Sequence, residues 1–454
     1  MASIAAESGP IIETPEPQAA TAAPASDRHQ SLDFVRGVAL FGILLMNIVG
    51  MGLGPAYDNP TVAGGAEGVN LWTWFVINVG FEGTQRALFS ILFGAGIILF
   101  TSRLEAAERP DCADLYFRRN LWLILFGLVN AWVLLWVGDI LYYYGVTALF
   151  LYVFRKLSGR VLLGLGIGAL ALGAAWSAFD SQRLLQAHSE YEAASAIPAA
   201  ARTPEQRETI TGWTKREEGM RVAPEAFEQM RAADTASYWS AMWSRGPVIA
   251  HFQSWNLYRG FFDIFGMMLI GMGLFRLGVL TLRIRGRIYL AMMLGGYAIG
   301  LPIGLWEANW IMSNGFSPIA YQQASITYDA SRLAMTIGHL GALMLFVRSG
   351  ALAWLRSALA AVGRMAFTNY VAHSVVALVL FVLMGRFGAY ERHQLYFIVL
   401  AIWAAQLTIS PIWLRHYRFG PLEWLWRYLT YLKRPPFRRR ATQETALPAA
   451  QRGV

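Results

Sequence analysis

Apolar stretches and polar gaps alternate along this chain at a spacing set by membrane thickness rather than by a soluble core. A window of roughly 20 apolar residues can cross the hydrocarbon region as a helix, and about ten windows meet that criterion. They lie at 34–53, 71–100, 120–137, 139–154, 161–179, 257–275, 288–306, 332–347, 367–384 and 394–413. The second is longer than one crossing needs. The gaps alternate in charge. Those after the second, fourth, sixth and eighth windows carry Arg103, Arg109, Arg118 and Arg119; Arg155, Lys156 and Arg160; Arg276, Arg283, Arg285 and Arg287; and Arg348, Arg356 and Arg364. Segments 54–70 and 307–329 contain no Lys or Arg. Arginine-rich loops stay in the cytoplasm, so both termini are expected there, which requires an even number of spans. The pattern predicts an all-α polytopic membrane protein of about ten transmembrane helices.

Composition sharpens this picture. The chain is 56% hydrophobic and 15% charged, with a mean hydropathy of +0.38, against about a quarter charged in soluble domains. Its net charge of +9 sits in short loops and a tail, where it orients helices and meets anionic headgroups. No basic module of a nucleic-acid-binding type is present, so nucleic acid is not an expected partner. The single cysteine, Cys112, excludes an intramolecular disulfide and a cysteine-based metal cluster. No metal site is expected.

Five regions follow. Residues 1–30 are rich in Ala, Pro, Glu and Thr and lack the regions of a signal peptide, which reads as a disordered cytoplasmic tail. Five spans fill 31–180. Residues 181–254 hold a polar, Ala/Glu/Arg-rich stretch (181–246) punctuated by Pro198, Pro204 and Pro224, with Pro247 just beyond it. Short helices capping the bundle on the extracytoplasmic side are expected there, since long translocated loops escape the charge rule. Five more spans fill 255–432, and 433–454 reads as a basic, disordered cytoplasmic tail. Gly296, Gly300 and Gly304 share a helix face and suit close helix approach; Gly94, Gly96, Gly164, Gly166 and Gly168 read the same way. No Walker motif, dinucleotide fingerprint or nucleophile elbow occurs.

Ionisable groups at membrane depth are costly, and each is a candidate functional residue. In the second window Asn78, Glu82 and Arg86 fall at four-residue spacing, on one face of a continuous helix, where Glu82 and Arg86 would pair. Asp139 opens the fourth window, and Arg259 and Asp263 stand one turn apart in the sixth. Arg332, Thr336 and His339 share a face in the eighth, Asn369 and His373 are neighbours in the ninth, and Asn47 lies in the outer half of the first. These form an outer polar layer. Asp33, Arg36, Arg118, Arg119 and Arg364 form an inner, basic one. Each member also has a structural reading: ion pairs between helices, interhelical hydrogen bonds from histidine, a helix start at Asp33, snorkelling arginines. Their joint distribution points to a hydrated cavity. The inner arginines suit a phosphate-bearing ligand. His339, His373 and Glu82 are the candidate catalytic groups, since histidine accepts a proton near neutral pH. Arg36, Asn47, Asn78, Arg86, Asp139, Arg259, Asp263, Arg332, Arg364 and Asn369 are the candidate substrate-binding groups.

Several strings are recognisable. Ser31-Leu-Asp-Phe-Val-Arg-Gly37 with Gly42-Ile-Leu-Leu-Met-Asn47, then Ala87-Leu-Phe-Ser-Ile-Leu-Phe-Gly-Ala-Gly96, Gly138-Asp-Ile-Leu-Tyr-Tyr-Tyr144, Gly363-Arg-Met-Ala-Phe-Thr-Asn-Tyr370 and Phe419-Gly-Pro-Leu-Glu-Trp-Leu-Trp-Arg427 resemble the YeiB-type family of bacterial membrane proteins. The resemblance runs from Arg28 to about Lys433 and implies a C-terminal domain of unknown function and a place in the bacterial inner membrane. The Leu-Asp-x-x-Arg-Gly opening is also similar to the start of the wider transmembrane acyltransferase superfamily. That similarity implies transfer of an acyl group from cytoplasmic acyl-CoA to an acceptor on the far side. It also implies a functional histidine after the first span. The chain departs from that pattern: residues 50–81 contain no histidine, and Asn130 stands where many YeiB-type relatives carry one.

Two functions are therefore expected. One is a membrane-embedded acyltransferase with acyl-CoA as co-substrate, no other cofactor, and a small-molecule, envelope-glycan or lipid acceptor. The other is transport of a small, anionic solute through the same cavity. The bilayer is the expected partner, and a homodimer is an admissible assembly.

Overall fold

The computed structural model describes residues 30–439; residues 1–29 and 440–454, most of the two expected tails, lie outside the described residues. Among the described residues no strand forms, and one isolated antiparallel bridge joins Tyr417 to Arg438. The protein is an all-α polytopic membrane protein. Its first half holds α1 (Gln30–Leu53), α2 (Gly68–Phe81), α3 (Thr84–Ala106), α4 (Cys112–Trp132), α5 (Leu141–Leu151) and α6 (Gly159–Ser195). Next come α7 (Pro204–Met220), α8 (Pro224–Ala236) and α9 (Tyr238–His251), which a π-helical turn, Phe252–Asn256, joins to α10 (Leu257–Arg276). The second half holds α11 (Gly286–Ser313), α12 (Pro318–Ser349), α13 (Ala353–Arg364), α14 (Ala366–Ala377), α15 (Arg392–His416) and α16 (Pro421–Tyr431).

Eight helical stretches among the described residues are long and apolar enough to cross a membrane. Two of the ten expected windows, 120–137 and 139–154, fall instead on α4 and α5, which are not among the eight. α4 carries Asp114, Arg118 and Arg119 in its first turns, and α5 has only 11 residues. The two form an antiparallel hairpin. Tyr116 donates to the Ala148 carbonyl (2.6 Å) near one end, and Asn130 to Asp139 (2.7 Å) at the other.

The turns sort to two ends of the bundle. At one, Ser31 donates to the Leu280 carbonyl (3.0 Å), Arg348 to Ile284 (3.0 Å), Arg118 to Thr430 (3.2 Å) and Arg276 to Arg155. This end gathers the arginine-rich loops. At the other, Asn70 donates to Glu391 (2.9 Å) and Tyr321 to the Asp58 carbonyl.

Two helix crossings at the centre depend on glycine. A Cβ on Gly37 would lie 2.1 Å from the Leu359 carbonyl oxygen, and one on Gly363 1.8 Å from that of Asp33. The α1 and α13 backbones touch. The α3–α10 crossing repeats this, with Gly94 against Met268 and Gly271 against Ile91. On α11, Gly296 and Gly300 meet α12 at Gly338 and Met335, whereas Gly304 has ordinary clearance. Gly166 meets Gly266 on α10, but Gly96, Gly164 and Gly168 face nothing within 4 Å.

The polar insert begins and ends inside long helices, because α6 runs on to Ser195 and α9 starts at Tyr238. α8 lies over the turn after α14: Phe227 meets Phe387 with ring centroids 6.1 Å apart, and buried Asp234 accepts from Arg245, which also donates to the Leu135 carbonyl (2.8 Å). At the chain's other end, 433–439 does not leave the bundle as a free tail. Phe437 sits among the rings of Trp413, Tyr417 and Trp424, and Trp424 donates to the Pro435 carbonyl (2.9 Å). Aromatic burial outweighs the charge of this segment.

Overpacking a tight crossing costs about 1–3 kcal/mol. Gly363→Ala should therefore lower the melting temperature of the purified protein in detergent, and Gly96→Ala should leave it unchanged. Equal melting temperatures for the two variants would contradict this packing.

Candidate functional site

The overlong second window resolves into two helices. Gly83 takes a left-handed conformation (φ 66°) between α2 and α3, which glycine adopts without strain. A Cβ there would lie 2.2 Å from the Tyr328 hydroxyl and 2.5 Å from Arg332 Cδ, so only glycine fits the space as well. Backbone groups freed by such a break need partners in the membrane. Thr84 donates through its hydroxyl to the Phe81 carbonyl (2.9 Å), and His339 Nε2 lies 2.7 Å from that of Gly80. A carbonyl can only accept, so Nε2 carries the proton and Nδ1 accepts from Tyr297 (2.9 Å). His339 braces the break with both ring nitrogens.

The break also changes the expected pairing. Asn78, Glu82 and Arg86 do not share the face of one helix. Glu82 accepts from Tyr57 (3.0 Å), while Arg86 reaches α10 and pairs with Asp263 (3.1 Å). Asp263 is also held by Arg332 through two bonds of 2.8 and 2.5 Å, and Arg332 adds Asp329 at 2.9 Å. Arg332 is 2% exposed, Asp263 20% and Arg86 39%. This clasp ties α3, α10 and α12 together. Arg259, expected beside Asp263, pairs instead with Asp180 on α6.

Asn78 and Glu82 line a cavity of about 20 Å³ together with Leu45, Met46, Val49, Tyr57, Trp74, Ile77, Arg392 and Tyr396. That space holds about one water. A larger cavity of about 390 Å³ lies between α6, α7, the π-turn, α10 and α12. Neither cavity is lined by Arg36, Arg364, His339 or His373.

The remaining expected residues are apart. His373 is buried on α14, where Gln406 Nε2 donates to its Nε2 (2.9 Å), leaving the Nδ1 proton without a partner. Asn369 donates to the Val362 carbonyl (3.2 Å) and to Ser410 (3.1 Å). Asp139 starts α5, accepting from the Tyr142 amide (2.8 Å) as well as from Asn130. Asn47 lies on α1 with its amide nitrogen buried and unpartnered. At the basic end Arg36 pairs with Asp33 (2.9 Å), right at the Gly37–Gly363 contact, and Arg364 closes α13. Arg119 lies over the Trp426 ring, 3.7 Å from its centroid.

Tyr57, Tyr328, Arg392 and Tyr396 belong to the site but were not anticipated. A signal existed for Arg392. It and Arg386 are arginines in a gap that the charge rhythm leaves otherwise poor in them. Arg392 is 3% exposed and donates to the Ala56 carbonyl.

The comparisons with known proteins accord with these motifs. Over 428 residues the chain is 30% identical to the uncharacterized protein YeiB of Escherichia coli (strain K12), covering 89% of this chain and 96% of that one. The chain belongs to the YeiB family. It is also 26% identical over 432 residues to the uncharacterized protein YxaH of Bacillus subtilis (strain 168), covering 90% and 96% of the two chains. An uncharacterized 39.9 kDa protein from Bacillus acidopullulyticus matches 98 residues at 37% identity, 22% of this chain and 28% of that one. Residues 274–433 match the family described as "Protein of unknown function (DUF418)". No solved structure matches the chain. Two YeiB-type strings meet in space: Glu423 accepts from the Phe367 and Thr368 amides (2.8 and 3.0 Å) and from the Thr368 hydroxyl (2.5 Å), capping α14.

Removing one partner of a buried ion pair costs about 3–5 kcal/mol. Arg332→Gln should lower the melting temperature in detergent strongly, and Arg86→Gln, on the more exposed arm of the clasp, less. A larger loss for Arg86→Gln would contradict this ranking.

Proposed function

We propose that this YeiB-family protein is a membrane-embedded acyltransferase, passing an acyl group from acyl-CoA at the basic end to an acceptor at the opposite end. The supporting observation is Glu82, a carboxylate 3.0 Å from the Tyr57 hydroxyl that lines a cavity beside the α2–α3 break. In the reaction an acceptor hydroxyl or amine attacks the thioester carbonyl, a C–O or C–N bond forms, and the C–S bond breaks. Glu82 takes the acceptor's proton as general base, the coenzyme leaves as its thiolate and is reprotonated, and Tyr57 or Arg392 steadies the carbonyl oxygen. Both histidines serve as hydrogen-bonding residues. The Glu82 cavity has room for about one water, so an acceptor enters only when its walls move. Arg36 and Arg364 are the groups proposed to face the coenzyme's phosphates.

The bacterial relatives suggest a bacterial inner membrane, and the charge rhythm suggests that the basic end and both termini are cytoplasmic. In a Cys112→Ser background, Thr61→Cys should react with a membrane-impermeant maleimide on intact cells and Ala351→Cys should not. The reverse pattern would invert the orientation.

For the chemistry, acetyl-CoA or a longer acyl-CoA should raise the melting temperature of the wild-type protein. Glu82→Gln should keep that stabilisation but lose transfer to an amine or alcohol acceptor by 100-fold or more, on the order of a lost general base. His339→Gln should keep most of the activity. Absence of stabilisation by any acyl-CoA would remove the enzyme reading. The break in α2–α3 favours a second reading, since discontinuous helices form binding sites in transporters. Uptake of an anionic solute into proteoliposomes, lost in Arg86→Ala, would support transport instead.

A further inference from the structure

The larger cavity has no part in the chemistry proposed above. It is an open pocket of about 390 Å³, lined by Ser177, Asp180, Arg183, Leu184, Arg216, Trp255, Arg259 and Gln322. Three arginines face one carboxylate there. Asp180, the one carboxylate in the lining, is paired with Arg259, which leaves Arg183 and Arg216 without a second acid among the lining residues. Arg183 lies over the Phe179 ring, 4.6 Å from its centroid. The lining therefore carries a formal excess of two positive charges.

Depth says what such a charge would meet. α6 starts at the basic end and rises about 1.5 Å per residue, so Ser177 stands roughly 27 Å along it, close to the far boundary of a hydrocarbon core about 30 Å thick. Aromatic rings mark the same level. Trp176 meets Tyr258 edge-on at 5.0 Å and lies under the Arg259 guanidinium, 5.1 Å away. Trp255 and Tyr258 are 54% and 53% exposed. Tryptophan and tyrosine concentrate at headgroup depth. Trp255 also lies in the π-helical turn Phe252–Asn256, and single π-turns within α-helices are frequent at functional sites.

We infer that this cavity is a binding site for a phosphate group, held by Arg183 and Arg216 with Arg259 behind them and Trp255 at its edge. Guanidinium forks match phosphate oxygens, and the volume admits a headgroup as well as a bare anion. The phosphate can come from a lipid headgroup or from a free anion. The site stands whether or not the protein transfers acyl groups.

The test uses the full-length protein in a neutral detergent. The probes are short-chain phosphatidylglycerol, short-chain phosphatidylcholine and inorganic phosphate, each followed by melting temperature and by native mass spectrometry. Arg183→Gln/Arg216→Gln is the variant; both side chains are exposed, so folding should survive, and its unliganded melting temperature checks this. The expected result is binding of phosphatidylglycerol, weakened 10-fold or more in the variant, with phosphatidylcholine, whose choline cation offsets its phosphate charge, bound less tightly by the wild type and weakened less by the substitutions. Arginine-dependent binding of inorganic phosphate alone would support the site with a free anion as its ligand. Undiminished phosphatidylglycerol binding in the variant, or no binding of either phosphate probe by the wild type, would overturn the inference. Should the double variant melt early, Arg216→Gln alone carries the same comparison.

Discussion

The clasp of Asp263 between Arg86 and Arg332 is the constraint on which the rest of the site depends. Arg332 is the charge held away from water, and it is tolerable there only because Asp263 and Asp329 meet it at close range while Arg86 shares Asp263 from α3. Meeting that condition brings α3, α10 and α12 together. It also fixes where α3 must restart, because Arg86 reaches Asp263 while Gly83 packs against Tyr328 and Arg332. Glu82 is then turned away from Arg86 and toward Tyr57. A straight helix through residue 83 would have paired Glu82 with Arg86 and closed the cavity side of the site.

Around this clasp, the strings that mark the YeiB family serve as joints. The first and fourth strings meet where Gly37 and Gly363 let α1 and α13 touch. The second string supplies Gly94 for the crossing on α10. In the third, Asp139 starts α5 and Tyr144 bonds Ser90 (2.8 Å). The last supplies Glu423, whose carboxylate satisfies amides at the start of α14. An anion at a helix N-terminus is favourable both to the dipole and to the unsatisfied N–H groups. Most of these residues hold the scaffold.

Much of the architecture was legible because it follows from hydropathy and charge: the helical class, the repeated windows and the sorting of arginine loops to one end. Pairing was not legible, since it depends on which helices are neighbours. Arg259 and Asp263 lie one turn apart in sequence but bond to different helices, α6 and α12. The partners of His339 (Tyr297 and the Gly80 carbonyl) and of His373 (Gln406) were equally unreadable from sequence. Asn78 and Glu82, four residues apart in sequence, do line one cavity. Tyr57 and Tyr396 gave no such signal, because tyrosine is unremarkable at a membrane boundary.

The central claim is that Glu82 is the available carboxylate at the heart of this site while Asp263 is committed to the clasp. Carbodiimide labelling of the native protein in membranes, with the modified residue located by peptide mass spectrometry, tests it most directly. The account predicts modification of Glu82, which faces the cavity, well ahead of Asp263, whose two oxygens are engaged by guanidinium groups. Labelling of Asp263 in preference to Glu82 would contradict it.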